Sequence, residues 1–311
     1  MEPTIPSPAK EAIKHLANSG EELLNTQLTE LTSLNAAELK LLQSSWGTIT
    51  PERRRQIVRR LVEMAEDNIE LNFDSVFKFC LTDKDDETRS QAIDGLWENE
   101  EASLIEPLIN LLEQDGSEKV QVAAVVALGK FALLAEHDKL PRGYKARIQK
   151  ALLEALNNKG RSIEVRRRAL EAAATLSLPE VKQAIMEAYT SPDSRLKISS
   201  VYAMGKSLDP AWLPVLLEEM NSADAELRYE ACSACGELEE ETAVPGLIKL
   251  VDDPDSDVRM AAIQALSKIG TTQAKECLQE CLESDNEAIR ETAEQALSQS
   301  EASEDPLSFQ L

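Results

Sequence analysis

The chain has 311 residues, of which 42% are apolar, and its 56 Asp and Glu against 33 Lys and Arg give it a net charge of −23. It has only 11 glycines and 4% aromatic residues, a composition that disfavours β-sandwiches, barrels and doubly wound sheets. Neither common form of the glycine-rich phosphate-binding loop occurs in it. The negative charge also disfavours nucleic acids and anionic membranes as partners.

No segment of the sequence predicts membrane insertion or secretion. The most apolar stretch, residues 120–135, is interrupted by Gln121 and Lys130 and is too short to span a bilayer. The N-terminal segment MEPTIPSPAK contains no apolar signal core. We therefore expect a cytoplasmic protein that does not bind membranes.

Residues 1–67 have helical periodicity but lack the repeat found in the rest of the chain. Amphipathic helices are predicted in the segments LTELTSLNAAELKLLQSSW and PERRRQIVRRLVEMAED, and Thr50 followed by Pro51 marks the start of the second. Stacked repeat arrays need an atypical terminal unit that covers their exposed core. The sequence thus predicts an N-terminal helical cap over residues 1–67.

Residues 68–298 contain a short segment that recurs seven times and begins, in most copies, with a basic residue. The first two copies, RSQAIDGLW and QVAAVVALG, start 32 residues apart, and the last five start 31 residues apart. An insertion of 14 residues, around residues 131–160, separates the second copy from the third. A fixed period predicts a stacked array in which each unit buries its apolar face against its neighbours. The copies begin at Arg89, Gln121, Arg166, Lys197, Arg228, Arg259 and Arg290.

Each copy predicts the second of two paired helices. Four residues before its start lies a side chain that can accept hydrogen bonds from the backbone amides of a helix N-terminus. Three residues after its start lies a small residue, which allows the paired helix to approach closely. Apolar segments with a 3.6-residue period, such as SLIEPLINLL and AVPGLIKLV, precede the copies and predict the first helices. The predicted caps are Asp85, Ser117, Ser162, Asp193, Asp224, Asp255 and Asn286, and the small residues are Ala92, Ala124, Ala169, Ser200, Ala231, Ala262 and Ala293.

The pattern D-x-x-V-R-x-x-A-x-x-A-L-G with its 31-residue period resembles HEAT-like repeats of the phycobilisome-lyase type, over about residues 70–298. The periodicity predicts an all-α fold, and the resemblance implies a right-handed α-solenoid of about seven HEAT-like helix pairs. The matching residues are caps and packing positions, so the resemblance specifies architecture rather than activity. Residues 299–311, after the solenoid, are acidic and polar and are predicted to be a disordered tail.

Four of the five cysteines form the pairs Cys232–Cys235 and Cys277–Cys281, and such spacings can hold zinc. In the repeat register, however, Cys235 takes a core position that other copies fill with Leu or Met. A buried cysteine behaves as a small apolar residue, and the two pairs belong to units two steps apart. We therefore predict structural thiols in a reducing compartment, with no bound metal and no cofactor.

Charge is distributed unevenly along the chain. Residues 207–311 hold 6 Lys and Arg against 24 Asp and Glu, whereas residues 139–168 hold ten against two. This basic block coincides with the insertion, and departures from a repeat are where individual function is often added. A solvated face without a partner is the alternative. The arginines that begin the copies are predicted to pair with acidic side chains of neighbouring units rather than to bind anions.

On each second helix, the positions one and five residues after the start of the copy are predicted to face away from the first helix. The outer units place Asp94, Glu291 and Gln295 there. The apolar or aromatic residues at these positions in the units between them are Val122, Val126, Ile198, Tyr202, Tyr229 and Met260. An apolar stripe bordered by charge is typical of a surface that binds a partner helix, and packing between units is the alternative. Together with the basic block, this predicts a partner-binding surface of Val122, Val126, Arg142, Arg147, Arg167, Arg168, Ile198, Tyr202, Tyr229 and Met260.

These features predict a non-catalytic scaffold that binds another protein on the concave face of the solenoid, through an acidic amphipathic segment of that partner. Two alternatives stay open. The family resemblance implies a bilin-lyase-like or accessory role in protein modification, although no catalytic residue can be assigned from it. The basic block of residues 139–168 is also a candidate for nucleic-acid binding, against which the overall negative charge argues.

Overall fold

The computed structural model describes residues 7–16 and 22–304, with side chains as far as residue 299. Within these residues the regular secondary structure is helical, and no strand is present. The chain divides into two compact units, Met1–Val165 and Arg166–Leu311. This boundary lies inside a helix, and the boundaries that the sequence suggested at residues 67 and 298 stay predictions.

The first unit contains four N-terminal helices followed by the first repeats. Its helices are α1 (Pro8–Leu16), α2 (Asn25–Thr29), α3 (Ala36–Trp46), α4 (Pro51–Asp67), α5 (Asp74–Cys80), α6 (Asp86–Asp94), α7 (Ile105–Gln114), α8 (Glu118–Glu136) and α9 (Tyr144–Asn157). Helix α4 packs against α6, α6 packs against α8, and α7 packs against both α8 and α9. Helix α4 therefore packs on the first repeat, which is the position that a terminal cap would occupy.

The second unit continues the same alternation of first and second helices. After α10 (Ile163–Ala173), which contains the boundary, its helices are α11 (Pro179–Tyr189), α12 (Ser194–Lys206), α13 (Leu213–Glu219), α14 (Ala225–Leu238), α15 (Val244–Leu250), α16 (Ser256–Ile269), α17 (Thr272–Cys281) and α18 (Glu287–Glu304). The second helices α12, α14, α16 and α18 pack side by side in that order, and each also packs against the first helix that precedes it. They therefore form one continuous layer within this unit.

Seven first helices alternate with seven second helices from α5 to α18. The small residue three positions into each copy of the repeat is fully buried in all seven copies. Its burial lets the helices approach closely and accounts for its recurrence in the sequence. The expected fold class, an all-α solenoid of about seven HEAT-like helix pairs, is confirmed.

The insertion lengthens two helices and one loop. Helix α8 runs for 19 residues, a loop over residues 137–143 follows, and α9 begins directly after Gly143, whose φ of 98° suits glycine. At the other end of the array, α18 continues to Glu304. Residues 299–304 of the expected disordered tail are therefore helical, because their Ala and Glu residues favour continuation of the helix. Residues 305–311 lie outside the described part of the chain.

Most residues expected to cap the second helices do accept backbone amides. Asp85 accepts the amide of Thr88 at 2.9 Å, and Asp255 accepts the amides of Asp257 and Val258 at 2.9 and 3.2 Å. The same kind of bond is made by Ser162, Asp193, Asp224 and Asn286. Ser117 departs from the expectation, because its hydroxyl donates instead to a carboxylate oxygen of Asp86 at 2.9 Å and leaves α8 without a side-chain cap.

In two copies the arginine that begins the copy joins one repeat to the next through a contact that we call the arginine clamp. Arg89 donates from Nε and Nη2 to the two carboxylate oxygens of Asp115, both at 2.7 Å. Its Nη1 donates to the backbone oxygen six residues earlier at 2.8 Å. Arg228 makes the same bonds to Asp253, at 2.8 Å, and to the backbone oxygen six residues earlier, at 2.9 Å. Both aspartate side chains are at most 6% exposed, so solvent screens these ion pairs little.

One repeat replaces the arginine of the clamp by glutamine, and the next loop compensates for it. The Nε2 of Gln121 donates to the backbone oxygen of Asp115, again six residues earlier, at 2.6 Å. Its Oε1 accepts Nη1 of Arg161 at 2.9 Å, and the same nitrogen donates to the backbone oxygen of Leu112 at 2.8 Å. Where the helix lacks the arginine, the following loop therefore supplies one.

Another repeat keeps only half of the clamp. Nη1 of Arg259 donates to the backbone oxygen of Asp253 at 2.8 Å, but its Nε is buried and has no hydrogen-bond partner among the described residues. The position that corresponds to Asp115 and Asp253 is occupied here by Ser284, whose hydroxyl accepts the amide of Asn286 at 3.2 Å. A serine at this position preserves the turn but leaves the guanidinium incompletely satisfied.

We predict that Ser284→Asp raises the free energy of unfolding by about 1 kcal/mol, because a carboxylate there can accept from Arg259 as Asp253 accepts from Arg228. Chemical denaturation at neutral pH measures the change. The matched control is Ser284→Asn, which retains the acceptor for the Asn286 amide but carries no charge. Equal stability of the Asp and Asn variants would show that the missing carboxylate is not what this repeat lacks.

Candidate functional site

The second helices of the second unit approach one another closely because glycine faces alanine at two crossings. A Cβ atom built on Gly205 would lie 2.6 Å from Cα of Ala234, and one on Gly236 would lie 2.8 Å from Cα of Ala265. Any larger residue at either glycine would therefore push α12, α14 and α16 apart. The surface of these three helices that carries Tyr202 and Tyr229 is called here the tyrosine surface.

A cavity of about 260 Å³ lies in the tyrosine surface, and we call it the small-residue cavity. Tyr202 and Tyr229 line it together with Ser233, Ala234, Ala261 and Ala265, and its remaining lining residues are Lys206, Glu230, Glu237, Gln264 and Lys268. Glu237 forms ion pairs with Lys206 at 3.2 Å and with Lys268 at 2.7 Å. Lysine and glutamate charges therefore offset one another at this cavity.

A second cavity of about 410 Å³ shares Tyr229 with the first, and we call it the acidic cavity. Its lining residues are Ile198, Ala225, Glu226, Tyr229, Glu230, Asp255 and Asp257. Within the described part of the chain, none of its four carboxylates has a Lys or Arg nitrogen within 4 Å. Tyr229, 40% exposed, is the one aromatic residue in its lining. The acidic cavity thus combines uncompensated negative charge with an accessible ring.

Glu230, which lines both cavities, has an altered acidity. Burial raises the pKa of its carboxyl to about 7, and the negative charges of Glu171 and Glu226 add to this effect against the opposing charge of Lys206. At Glu237, seven residues further along α14, burial also acts to raise the pKa, but the bonds from Lys268 and Lys206 outweigh it and the pKa is lowered. The pKa values of the two glutamates are therefore shifted in opposite directions.

We predict that Glu230→Gln increases the free energy of unfolding above pH 7 by roughly 1–3 kcal/mol, because the native state then holds an ionised, desolvated carboxylate. The folded-state pKa of Glu230 lies above its unfolded value, so its destabilising effect grows as the pH rises from about 4.5 to 7. The increase in the free energy of unfolding caused by Glu230→Gln should therefore become smaller as the pH falls from about 7 to 4.5. Chemical denaturation at a series of pH values measures it.

Glu237→Gln is the control for this prediction, because the pKa of Glu237 is lowered. This substitution should reduce stability at neutral pH, where the wild-type carboxylate pairs with two lysines. A stabilising effect of equal size from both substitutions would mean that general relief of negative charge, rather than the burial of Glu230, controls stability.

The structure brings together three of the residues expected at a partner-binding surface. Ile198 and Tyr229 line the acidic cavity, and Tyr202 and Tyr229 line the small-residue cavity. Met260 lies on α16, half-buried, and its sulfur accepts the hydroxyl of Thr292 at 2.7 Å. It is absent from the lining of both cavities.

The two expected arginines of α10 are held within an ion-pair cluster of the second unit. Arg167 pairs with Glu171 at 3.2 Å, and Arg168 pairs with the same carboxylate at 2.8 Å. The hydroxyl of Ser199 also donates to Glu171, at 2.5 Å. Much of the positive charge that the sequence suggested for an incoming partner is thus neutralised inside the protein.

The four expected residues of the first unit lie on different elements. Val122, half-buried, and Val126, 52% exposed, lie on the second helix α8. Arg142 is exposed in the loop before α9, and Arg147 of α9 pairs with Glu106 of the first helix α7. The arginines therefore belong to the first-helix layer and its loop, whereas the valines belong to the second-helix layer.

The basic block of residues 139–168 is also largely engaged within the fold. Lys145 pairs with Glu136 at 3.1 Å, Lys150 pairs with Glu154 at 3.7 Å, and Arg161 completes the modified clamp at Gln121. The block is therefore less available to an external anion than its charge in the sequence suggested.

The sequence analysis missed the charged residues of the two cavities. Lys206, Glu237 and Lys268 all lie nine residues after the start of their copies, so the repeat register alone would have aligned them as one row. Glu226 and Glu230 lie two residues before and two residues after Arg228. Comparing the charges at equivalent positions of the repeats would have identified these residues.

All five cysteines are buried. Cys235 Sγ lies 3.6 Å from the sulfur of Met220, and burial raises the pKa of the Cys235 and Cys281 thiols to about 12. A protonated thiol is a poor metal ligand, because the thiolate is the form that binds. Among the described residues no group of three or more His, Cys, Asp and Glu is arranged to hold a metal ion. That the chain binds no metal stays a prediction.

None of the described helices combines the length and the apolar character that a span of the bilayer demands.

The sequence matches the family model of HEAT repeats over residues 74–142 and 213–298. These segments include the helix pairs α5/α6 and α7/α8 and the pairs from α13 to α18. The chain is therefore a HEAT-repeat protein. It matches no curated protein.

The chain is similar to several solved structures at low sequence identity. The complex of CpcE and CpcF of phycocyanin lyase from Nostoc sp. PCC7120 matches with a TM-score of 0.53 at 16% identity, over 94% of this chain and 99% of that chain. Human deoxyhypusine hydroxylase matches with a TM-score of 0.35 at 17% identity, over 84% of this chain and 96% of that chain. Kap95p, from a complex with RanGDP, matches with a TM-score of 0.45 at 17% identity, over 93% and 41% of the two chains. At 16% identity the similarity to the phycocyanin-lyase complex concerns the fold alone.

Proposed function

We propose that this HEAT-repeat protein is a non-catalytic scaffold that binds a segment of another protein on the tyrosine surface. The observation that carries the proposal is the ring of Tyr229, which is 40% exposed and lines two adjacent cavities. Exposed tyrosines beside cavities are typical anchors in protein interfaces, because they bury a large rigid area and keep a polar hydroxyl.

The form of the surrounding surface supports the same proposal. The close approach of α12, α14 and α16 leaves small residues, Ala234, Ala261 and Ala265, to line the cavity beside the tyrosines. Charged residues border these apolar atoms, as at the polar rim of a protein interface.

The first unit carries an exposed apolar surface of its own. Val126 and Leu133 lie seven residues apart on α8, two turns along one face, and are 52% and 44% exposed. Trp97, 61% exposed, follows α6, and its backbone oxygen accepts the ammonium of Lys130 on α8. These residues would add a second apolar contact for a partner, in keeping with the expected role of Val122 and Val126.

Affinity capture from the native host, with the full chain as bait, tests the proposal. The double variant Tyr202→Ala/Tyr229→Ala should lose a specific captured protein, and its affinity for that protein should fall by about tenfold or more, as for interface hot spots. Met186→Ala is the matched control, because Met186 is 57% exposed on the first helix α11 of the same unit. A partner that is lost with Met186→Ala and retained with the tyrosine variant would place binding on the first helices and overturn the proposal.

The lyase-like alternative is the second candidate, because the phycocyanin-lyase complex of CpcE and CpcF shares the fold. An absorption shift of an added tetrapyrrole upon mixing with the purified chain would favour this alternative. The acidic partner expected for Arg167 and Arg168 is a competing hypothesis for the scaffold, and the pairing of both arginines with Glu171 weakens it.

A further inference from the structure

The acidic cavity collects four carboxylates from two consecutive repeats. Asp255 caps α16 through the amides of Asp257 and Val258, so its carboxylate has a structural role. Glu226 and Glu230 lie four residues apart on α14, where like charges oppose helix formation. Asp257 adds a further carboxylate to the lining. Three carboxylates therefore remain in this cavity beyond the one that caps the helix.

One of these carboxylates departs from the repeat pattern. Glu226 and Asp257 occupy the same position in consecutive repeats, but Glu230 is the one acidic residue at its position in the seven copies of the repeat. The equivalent residues of the two neighbouring repeats are Ser199 and Ala261. A departure confined to one repeat of a regular array points to a role of that repeat alone rather than to stacking.

The shape of the acidic cavity suits a long cationic side chain. Tyr229 forms part of its lining, while Glu226 and Asp257 come from the first turns of two adjacent second helices, α14 and α16. A volume of about 410 Å³ accommodates a side chain of several methylene groups with a planar head. Guanidinium groups stack on aromatic rings and pair with carboxylates through two parallel hydrogen bonds.

We propose that the acidic cavity binds an arginine side chain of the partner segment, with its guanidinium against the ring of Tyr229 and paired with Glu226, Glu230 and Asp257. This inference rests on the proposed scaffold function and adds the chemistry of the partner, which is basic rather than acidic. The net charge of −23 acts in the same direction, because it accelerates the approach of a basic segment at long range.

Pools of short peptides that differ only at the central residue test this inference without knowledge of the partner. That residue is arginine, its uncharged isostere citrulline, or glutamate, and the flanking positions contain an equal mixture of Ala, Leu, Ser and Gly. The full chain is immobilised, and the retained fraction of each pool is measured at low and moderate salt. The arginine pool should be retained most, because citrulline has the same shape without the charge.

The test variant is Glu226→Gln/Glu230→Gln/Asp257→Asn, and the control is Glu276→Gln/Glu280→Gln/Glu283→Gln. Retention is measured at pH 8, above the pKa of Glu230 of about 7, so that both variants raise the net charge by nearly the same amount. The control residues are exposed on or just after α17 of the same unit. The test variant should retain about tenfold less of the arginine pool than wild type does. The control variant should differ from wild type by less than about twofold. Circular dichroism confirms that both variants retain their helices.

Equal loss in the two variants would attribute retention to diffuse charge and overturn the inference. Retention of the glutamate pool above the arginine pool would overturn it in favour of an acidic partner. A captured protein that requires Tyr202 and Tyr229 but binds the test variant like wild type would support the scaffold function. It would contradict the binding of a partner arginine in the acidic cavity. If that protein bound the double tyrosine variant like wild type, the scaffold proposal itself would be wrong.

Discussion

The bidentate contact between an arginine of one second helix and an aspartate of the next loop joins consecutive repeats at two places in the array. In both complete clamps, Arg89–Asp115 and Arg228–Asp253, the same guanidinium also holds a backbone oxygen six residues earlier. The aspartate in turn accepts the amide two residues after it, which directly precedes the next second helix. One guanidinium thus connects the end of one loop with the start of the next, and its burial makes loss of either partner costly.

A constant offset between repeats turns equivalent sequence positions into rows on the surface. In the second unit one such row consists of Lys206, Glu237 and Lys268, which pair with one another along the tyrosine surface. The residues of a row can change without disturbing the array, because caps, clamps and small buried residues occupy other positions. This separation explains how one repeat can carry Glu230 in the acidic cavity while the stacking around it stays regular. A fold of this kind supports many binding surfaces, so the surface rather than the fold has to identify the partner.

The sequence was sufficient to predict the helix pairs and the small buried residues, because they depend on local periodicity that recurs in every repeat. It did not predict which acidic residue pairs with each arginine, since a chain this rich in Asp and Glu offers several candidates for each. Arg147 pairs with Glu106, 41 residues away, and no periodicity indicates such a choice. The pairing of Arg167 with Glu171, four residues on, could have been foreseen from helical spacing. The acidity of Glu230 depends on burial and on Glu171 of a different helix, which only the packed structure reveals.

The most direct test of this account is a double-mutant cycle at the clamp of Arg228 and Asp253, measured by chemical denaturation. The single variants are Arg228→Met, which keeps the aliphatic stem, and Asp253→Ser, which places at this position the residue found at 222 and 284. If the clamp joins the repeats, the coupling free energy between the two residues should be about 2 kcal/mol, as for a buried bidentate pair. A coupling within about 0.5 kcal/mol of zero would contradict the account and would attribute the stacking to apolar packing alone.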